Sequence, residues 1–397
     1  MRHVFFGLSG GMGPILRNVP TARLFERDGQ QVSFSIYGEY GITLLQRLGL
    51  RVHIDDDPVR PRARYLIPQQ PMFYHLDHYY AQMGLLDKQF AASWVRNRIR
   101  MLEEVQPDVI ISDMSPHTLI AAKVLGIPTI AITQSCLHPS GKPLYWGHPP
   151  RNLPKAAPVM NEILRGYRLP EVARMEELHA GDIDIAPSFP ELDPFLDNRV
   201  QHVGPISMSL QEAEHLELAE DDSKAILVYP GRLRDASGDT GLHLVKAVCT
   251  AYARKKVTVV IATSEALPAT LRRSCPRNVR IVSAYSEEML RKFDLFIHHG
   301  GHGSCLSAIR QGVPSLIIPT QREREFNARQ MHRIGAGEYM MPRTFTPSHL
   351  YGLTAYMLHD EYRDRVLHIR EKVRKRQYGG ARTVYEKALH LQSKQLR

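Results

Sequence analysis

Short β-branched apolar runs alternate with amphipathic stretches along this chain, and the alternation restarts halfway. RHVFFGL (2–8) has the pattern of a strand, residues 14–29 of a helix ending at Gly29, and QVSFSIY (31–37) of the next strand. PDVIISD (107–113), a helical stretch over 117–125 and IPTIAIT (127–133) repeat the pattern. After VQHVGPI (200–206) and an acidic stretch over 209–224 come AILVYPG (225–231), KVTVVIAT (256–263), NVRIVSAY (278–285), DLFIHHG (294–300) and VPSLIIP (313–319), with helical patterns between them. Strand, helix, strand in this rhythm builds a parallel sheet with helices on both faces. A chain of 397 residues exceeds one ordinary core, so two domains of roughly 150–200 residues are expected. The expected fold class is therefore α/β. Doubly wound domains cover 1–205 and 225–375, a linker covers 206–224, and a basic helix over 376–397 returns to the first domain. Ligands of this architecture bind outside the carboxyl ends of the strands, which makes a cleft between the two sheets the expected site.

Composition removes several alternatives. Hydrophobic content of 43% and charged content of 23% are ordinary for a globular chain and exclude a disordered or fibrous one. No apolar run approaches the ~20 residues of a membrane span; VTVVIA (257–262) has the length of a buried strand. The start, MRHVFFGLSGGMG, turns glycine-rich after three apolar residues, too few for a secretory core. The four cysteines (136, 249, 275, 305) are scattered without a CxxC pair, which suits a reducing cytoplasm and excludes a disulfide scaffold or cysteine zinc site. The formal charge of +10 is concentrated: between Arg363 and Arg397, eleven Lys/Arg face three acids, so that tail carries +8. Such a tail is first of all a solvated face, with contact to an anionic membrane surface or an acidic partner as the alternative. No RNP-like strand, zinc finger or helix-turn-helix signature accompanies the charge, so nucleic acid is not an expected partner.

The most specific segment is DLFIHHGGHGSCLSAIRQGVPSLIIPTQREREFNARQMHRIGAG (294–337). A buried strand runs into His-His-Gly-Gly-His-Gly-Ser and then into a helix. Glycines at 300, 301 and 303 let a ligand approach the backbone, and the amides of the helix start favour an anion. With the Ser304 hydroxyl and the His299 imidazole added, a diphosphate is the natural guest; the bland alternative is a tight turn with no ligand. The segment resembles the nucleotide-sugar signature of the GT-B glycosyltransferases, in the family 1 branch of plant and bacterial natural-product enzymes that includes the macrolide type. The resemblance lies in His299, Gly301, Gly303, Ser304, Gly312-Val313-Pro314, Pro319, Glu323, Asn327-Ala328 and Gly335-Ala336-Gly337, in order over more than forty residues. It implies that His299, Gly301, Gly303 and Ser304 hold the donor diphosphate and that Glu323 bonds hydroxyls of the donor sugar.

The chain also departs from the family. The ribose-binding Glu of many UDP-sugar members falls at Ser307, which leads to the expectation that dTDP binds at least as well as UDP. Arg324 replaces a Gln beside Glu323 and brings a fixed charge. SAYSEEML (283–290) occupies the segment that meets the base; the family aromatic is Ser283 here, with Tyr285 nearby. HVGPI (202–206) and ILVYPGR (226–232) resemble the family's passage through the linker into the second domain. At the amino end, GGMGPILRNVPTARLFERDG resembles the family's first turn and helix, but Pro14 stands where the acceptor-deprotonating His belongs. PDVIISD places Asp113 at that base's partner carboxylate. Asp113 itself, His117 or His138 could take the proton, or no base is needed. Reading GLSGGMG onward as a dinucleotide motif fails, because Leu16 stands where the third glycine belongs.

Residues 65–94 carry Tyr65, Phe73, Tyr74, Tyr79, Tyr80, Phe90 and Trp94. Such residues are more often core than site, but the corresponding family stretch lines the acceptor pocket, which makes Phe73, Tyr74 and Tyr79 acceptor candidates. His298, His299 and His302 lack a nearby carboxylate cluster, and Asp55-Asp56-Asp57 and Asp182-Ile183-Asp184 lack the surroundings of a metal motif, so no metal is expected. GxSxG is absent, so a serine hydrolase has no support. The resemblance implies an inverting, metal-independent glycosyltransferase that takes a nucleotide sugar as co-substrate, needs no cofactor, and acts on a small apolar or aromatic acceptor. A nucleotide-sugar epimerase of the same fold, or a non-catalytic nucleotide-sugar-binding protein, are the alternatives.

Overall fold

The first strand, β1 (His3–Leu8), is buried along its whole length, as a strand covered on both faces must be. A computed structural model of the protein describes residues 1–55, 57, 59–67, 73–208, 223–234, 238–342 and 345–394. It divides into two units, residues 1–208 with 378–397, and residues 209–377.

In unit 1, β1 is joined by β2 (Gln31–Ile36), β3 (Arg51–Val52), β4 (Val109–Asp113), β5 (Thr129–Ile132), β6 (Ile183–Ala186) and β7 (Val200–His202). All pairs are parallel, in the order β3-β2-β1-β4-β5-β6-β7. The helices are α1 (Met12–Arg27), α2 (Glu39–Arg47), α3 (Leu76–Tyr80), α4 (Lys88–Val105), α5 (Pro116–Leu125) and α6 (Ala157–Gly166). Ser115 precedes α5, Pro116 opens it, and Gly126 closes it at φ +68°, the start and stop residues that helices favour. The core on the α1 side joins Phe6, Phe34, Ile15, Val19 and Phe25, with the Phe6 and Phe34 rings stacked 4.7 Å apart.

In unit 2, β8 (Lys224–Tyr229), β9 (Val257–Ala262), β10 (Val279–Val282), β11 (Leu295–His298), β12 (Ser315–Ile317) and β13 (Gly337–Tyr339) form a second parallel sheet, ordered β10-β9-β8-β11-β12-β13. Its helices are α7 (Thr240–Ala251), α8 (Ala269–Arg273), α9 (His302–Gln311), α10 (Arg322–Arg333), α11 (Pro347–Met357) and α12 (Asp360–Lys375). The chain then rejoins unit 1 as α13 (Ala381–Lys394), which packs on α1. Val384 and Ala388 enter the unit 1 core, and Tyr385 lies 4.8 Å from Phe25 between ring centres.

Three strands carry no clear sequence signal. β3 and β13 have only two and three residues, and β6 begins within Asp182-Ile183-Asp184. Asp182 turns out to brace that strand start, its Oδ2 accepting from the Thr129 amide at 2.8 Å and the Thr129 hydroxyl at 2.9 Å. The acidic stretch over 209–222, and Asp56, lie outside the described residues. The cysteines scattered in sequence are not all apart in space: Cys249 Sγ and Cys275 Sγ are 3.6 Å from each other. Among the described residues no helix is long and apolar enough to cross a membrane.

Candidate functional site

In each sheet the chain order reverses at one point, between β1 and β4 in unit 1 and between β8 and β11 in unit 2. Strand ends diverge there, which opens the crevice where ligands of doubly wound sheets bind. His298 pairs in register with Tyr229 at the unit 2 switch point, so the glycine turn after β11 and the segment after β8 emerge side by side.

Gly300 takes φ +89°, and a Cβ there would stand 2.8 Å from Ile317 Cγ2 and 2.9 Å from the Arg324 carbonyl oxygen. Only glycine fits this corner. Beyond it, a Cβ on Gly301 would stand 2.8 Å from His299 Nε2, so its absence lets the imidazole lie against the turn. Gly303 is exposed with open space around it. The first intrahelical bond of α9 runs from the Cys305 amide to the Gly301 carbonyl, and the amides of the preceding residues, at the positive end of the helix dipole, point outward as an anion site.

His299 lies edge-on to Tyr229, 5.2 Å between ring centres. Burial first, and then the Arg324 guanidinium, push its pKa well below the ordinary value. It is a neutral imidazole near pH 7 that hydrogen-bonds the Tyr229 backbone. Ser304 bonds the Tyr285 hydroxyl, and Tyr285 packs 5.2 Å from Tyr229, so the predicted base-contact residue reaches the turn itself, while Ser283 stays exposed at the end of β10. Asn327 Nδ2 donates to the Gly300 carbonyl at 3.0 Å and to Glu323 Oε1 at 2.8 Å, which orients Glu323 beside the turn. The Arg324 guanidinium donates to Thr320 Oγ1. Ser307, one helical turn beyond Ser304, donates to Glu287 Oε2 at 3.1 Å. Sequence patterning gave no reason to single out Glu287, which lies twenty residues away on another element.

At the unit 1 switch point, Asp113 closes β4 in register with Leu8 and is wholly buried. Arg17 donates to both of its oxygens, Nε to Oδ2 at 2.5 Å and Nη2 to Oδ1 at 2.6 Å, and Asn18 Nδ2 donates to Oδ2 at 2.7 Å. Both oxygens of this candidate base are thus already bonded. Pro14 is buried in the first turn of α1, and its carbonyl accepts from the same Asn18 amide group. His138 is engaged at both nitrogens: Nδ1 accepts from the Ser140 amide at 3.1 Å, so Nε2 carries the proton and donates to Asp184 Oδ2 at 3.1 Å.

His117 has no exposed surface. It stacks on Trp94 at 4.2 Å, and its Nε2 lies 2.8 Å from Tyr37 Oη and 3.2 Å from Asp55 Oδ2. Arg98, equally buried, donates to Asp55 Oδ2 at 2.7 Å, to Ser35 Oγ at 3.0 Å and to Thr118 Oγ1 at 2.9 Å. Burial first and Arg98 second push the His117 pKa down to about 4. Burial alone would raise the Asp55 carboxyl, but the His117 hydrogen bond and Arg98 outweigh it and hold it well below the usual carboxylate range. Asp55 therefore belongs to a buried network rather than to a metal site. Asp57 likewise accepts from Ser93 Oγ at 2.8 Å. No group of three metal-ligating side chains occurs among the described residues.

The aromatic stretch splits in two. Tyr80 and Trp94 are buried. Phe73, Tyr74 and Tyr79 are half-buried and fall in two ring pairs: Phe73 and Tyr79 are 4.8 Å apart, and Tyr74 meets Tyr145 edge-on at 4.9 Å. Tyr145 and the exposed Trp146 come from the Pro/Gly-rich stretch and were not singled out from the sequence, where no periodicity marks them.

Residues 250–376 match the family described as "Erythromycin biosynthesis protein CIII-like, C-terminal domain". The chain is similar to the NDP-glycosyltransferase YjiC of Bacillus subtilis (strain 168), 27% identical over 256 residues that cover 63% of this chain and 64% of that relative. Among solved structures, CalG4, the calicheamicin glycosyltransferase, superposes with a TM-score of 0.75 at 17% identity over 98% of both chains. The glycosyltransferase VinC, solved in complex with dTDP, does so at 0.69 and 15% identity over 99% of this chain and 100% of that one. The fold is that of the GT-B glycosyltransferases.

Proposed function

We propose that this GT-B chain transfers a sugar from a UDP- or dTDP-linked donor to a small apolar or aromatic acceptor, with inversion and without a metal ion. The observation that carries the proposal is the Gly300 corner, which exposes the amides of α9 between His299 and Ser304 at the switch point of the unit 2 sheet. The relatives' names and the dTDP held by VinC support the same donor chemistry. In the transfer, an acceptor oxygen bonds to the anomeric carbon while the bond from that carbon to the diphosphate breaks on the opposite face. Negative charge gathers on the departing diphosphate, which suits the amides at the start of α9, with the Ser304 hydroxyl and the His299 ring beside them. Glu323, held by Asn327, suits hydroxyls of the donor sugar. The half-buried rings of Phe73, Tyr74, Tyr79 and Tyr145 suit an apolar or aromatic acceptor.

For the acceptor proton, the bonds around Asp113, His117 and His138 favour an acceptor that ionises by itself. Asp113 then positions Arg17 and Asn18. The same bonds favour, as a second reading, a protein that binds nucleotide sugar without transferring it. Calorimetry with UDP, dTDP and GDP, followed by turnover with donor alone and with a series of phenols, tests both. Wild type should bind at least one nucleotide, and His299→Ala and Ser304→Ala should each weaken it on the order of tenfold. Turnover should require a phenol and follow the phenol's own pKa. Binding with no product in any mixture would favour the second reading, conversion of donor alone would indicate an epimerase, and no binding would remove the donor site altogether.

A further inference from the structure

Two of the four cysteines meet in unit 2. Cys249 is buried in the last turn of α7, and Cys275, between α8 and β10, is half-buried. Their sulfurs stand 3.6 Å apart across 26 residues of sequence, in contact but not bonded, since a disulfide needs about 2.05 Å. A second, independent contact fixes the two segments against each other. Asn278 Nδ2, three residues beyond Cys275, donates to the carbonyls of Tyr252 at 3.0 Å, Lys255 at 3.3 Å and Val257 at 2.9 Å, the stretch that leads from Cys249 into β9. Tyr252 is itself buried, and its hydroxyl donates to Thr354 Oγ1. The folded chain thus holds the two thiols as a preset pair. The end of α7 and the entry to β10 lie at the amino edge of a parallel sheet, opposite the edge that opens the switch-point crevice.

We infer that Cys249 and Cys275 form a modification site at which hydrogen peroxide makes a reversible disulfide, locking α7 to the entry of β10. The oxidant reaches the half-buried Cys275 first. Its sulfur, as thiolate, bonds to one peroxide oxygen and the O–O bond breaks; the other oxygen takes up the thiol proton and leaves as water. Cys249 sulfur then bonds to Cys275 sulfur, and the sulfenic hydroxyl departs with the Cys249 proton as a second water. Two thiols lose two electrons and one peroxide is reduced to two waters. Burial, and then the Cys275 sulfur, push the Cys249 thiol up to about 12, so it stays protonated until its partner is activated. The new bond closes a loop that carries β9 and α8, which restricts the unfolded chain and stabilises unit 2.

Treating the reduced full chain with hydrogen peroxide, followed by intact mass, peptide mapping without reductant and thermal melts, tests this. Wild type should lose two hydrogens and yield a peptide linked through Cys249 and Cys275 that dithiothreitol releases. It should also melt several degrees above the reduced chain. Cys249→Ala should stop at the Cys275 sulfenic acid, which dimedone traps, and Cys275→Ser should leave Cys249 unmodified. Neither variant should gain the rise in melting temperature. A linked peptide from any other pair would overturn the inference, as would a dimedone adduct on Cys249 in the Cys275→Ser chain. So would wild type that stops at the sulfenic acid, or that keeps both thiols under peroxide that converts free cysteine to cystine. A disulfide that forms but lowers the melting temperature would overturn the preset geometry and the lock with it.

Discussion

Asp113 illustrates how a residue's chemistry is set by what touches it. A carboxylate at a strand end is a plausible base in one dimension, but here Arg17 and Asn18 make three bonds to its two oxygens inside a buried site. Asp113→Asn would leave the Arg17 guanidinium, whose side chain is 11% exposed, without its counter-charge. Breaking such a pair costs about 3 kcal/mol, so urea denaturation should show that loss while nucleotide binding persists. Unchanged stability with turnover lowered on the order of 10²–10⁴-fold would instead make Asp113 the base. His117 makes a second residue-scale prediction. Its folded pKa of about 4 lies below the ordinary 6.5, so the unfolded chain takes up the proton first. The stability it contributes is complete above pH 6.5 and is lost as pH falls toward 4. His179 and His298, both pushed down to about 3 by burial, act in the same direction. Thermal melts between pH 7.5 and 4.5 should fall steeply below about pH 6.5, and replacing His117 by Phe should flatten that slope. A melt independent of pH in this window would contradict the buried neutral imidazoles.

At the scale of elements, α4 is the strut that fixes the segment after β3. Arg98 and Ser93 on this helix hold Asp55 and Asp57, and Asp87 just before it makes a two-pronged ion pair with Arg62 at 2.6 and 2.7 Å. Asp55 and Asp57 lie outside regular structure, and each is tied to this helix by its carboxylate. Arg98→Met keeps the aliphatic stem but strands the Asp55 charge, so a loss of about 3–5 kcal/mol is expected. Because Arg98 also depresses the His117 pKa, the imidazole should titrate at a higher pH in this variant, a shift that NMR can follow. Destabilisation without that shift would mean that Arg98 acts by packing alone.

At the scale of the whole molecule, the last helix completes the first unit. Val384 and Ala388 on α13 are buried in a core otherwise built from residues before 207, and Tyr385 packs on Phe25. Arg382 on this helix, paired with Glu386, remains solvent-facing. Removing residues 378–397 should therefore expose the α1 face of unit 1 to limited proteolysis while unit 2 keeps its nucleotide affinity; protection of α1 in the truncated chain would refute this. The two parallel sheets and the glycine turn after β11 are legible in one dimension. Each depends on local pattern: a buried parallel strand is a continuous apolar run, and a backbone corner at positive φ demands glycine. Only the tertiary structure decided what bonds Asp113 across 95 residues, which carboxylate Ser307 touches, which rings of the aromatic stretch are core, and that Cys249 and Cys275 are neighbours. Those outcomes depend on strand register and on how each helix is rotated against its sheet, and a side chain's hydrogen-bond partner on a distant element leaves no period in the sequence around it.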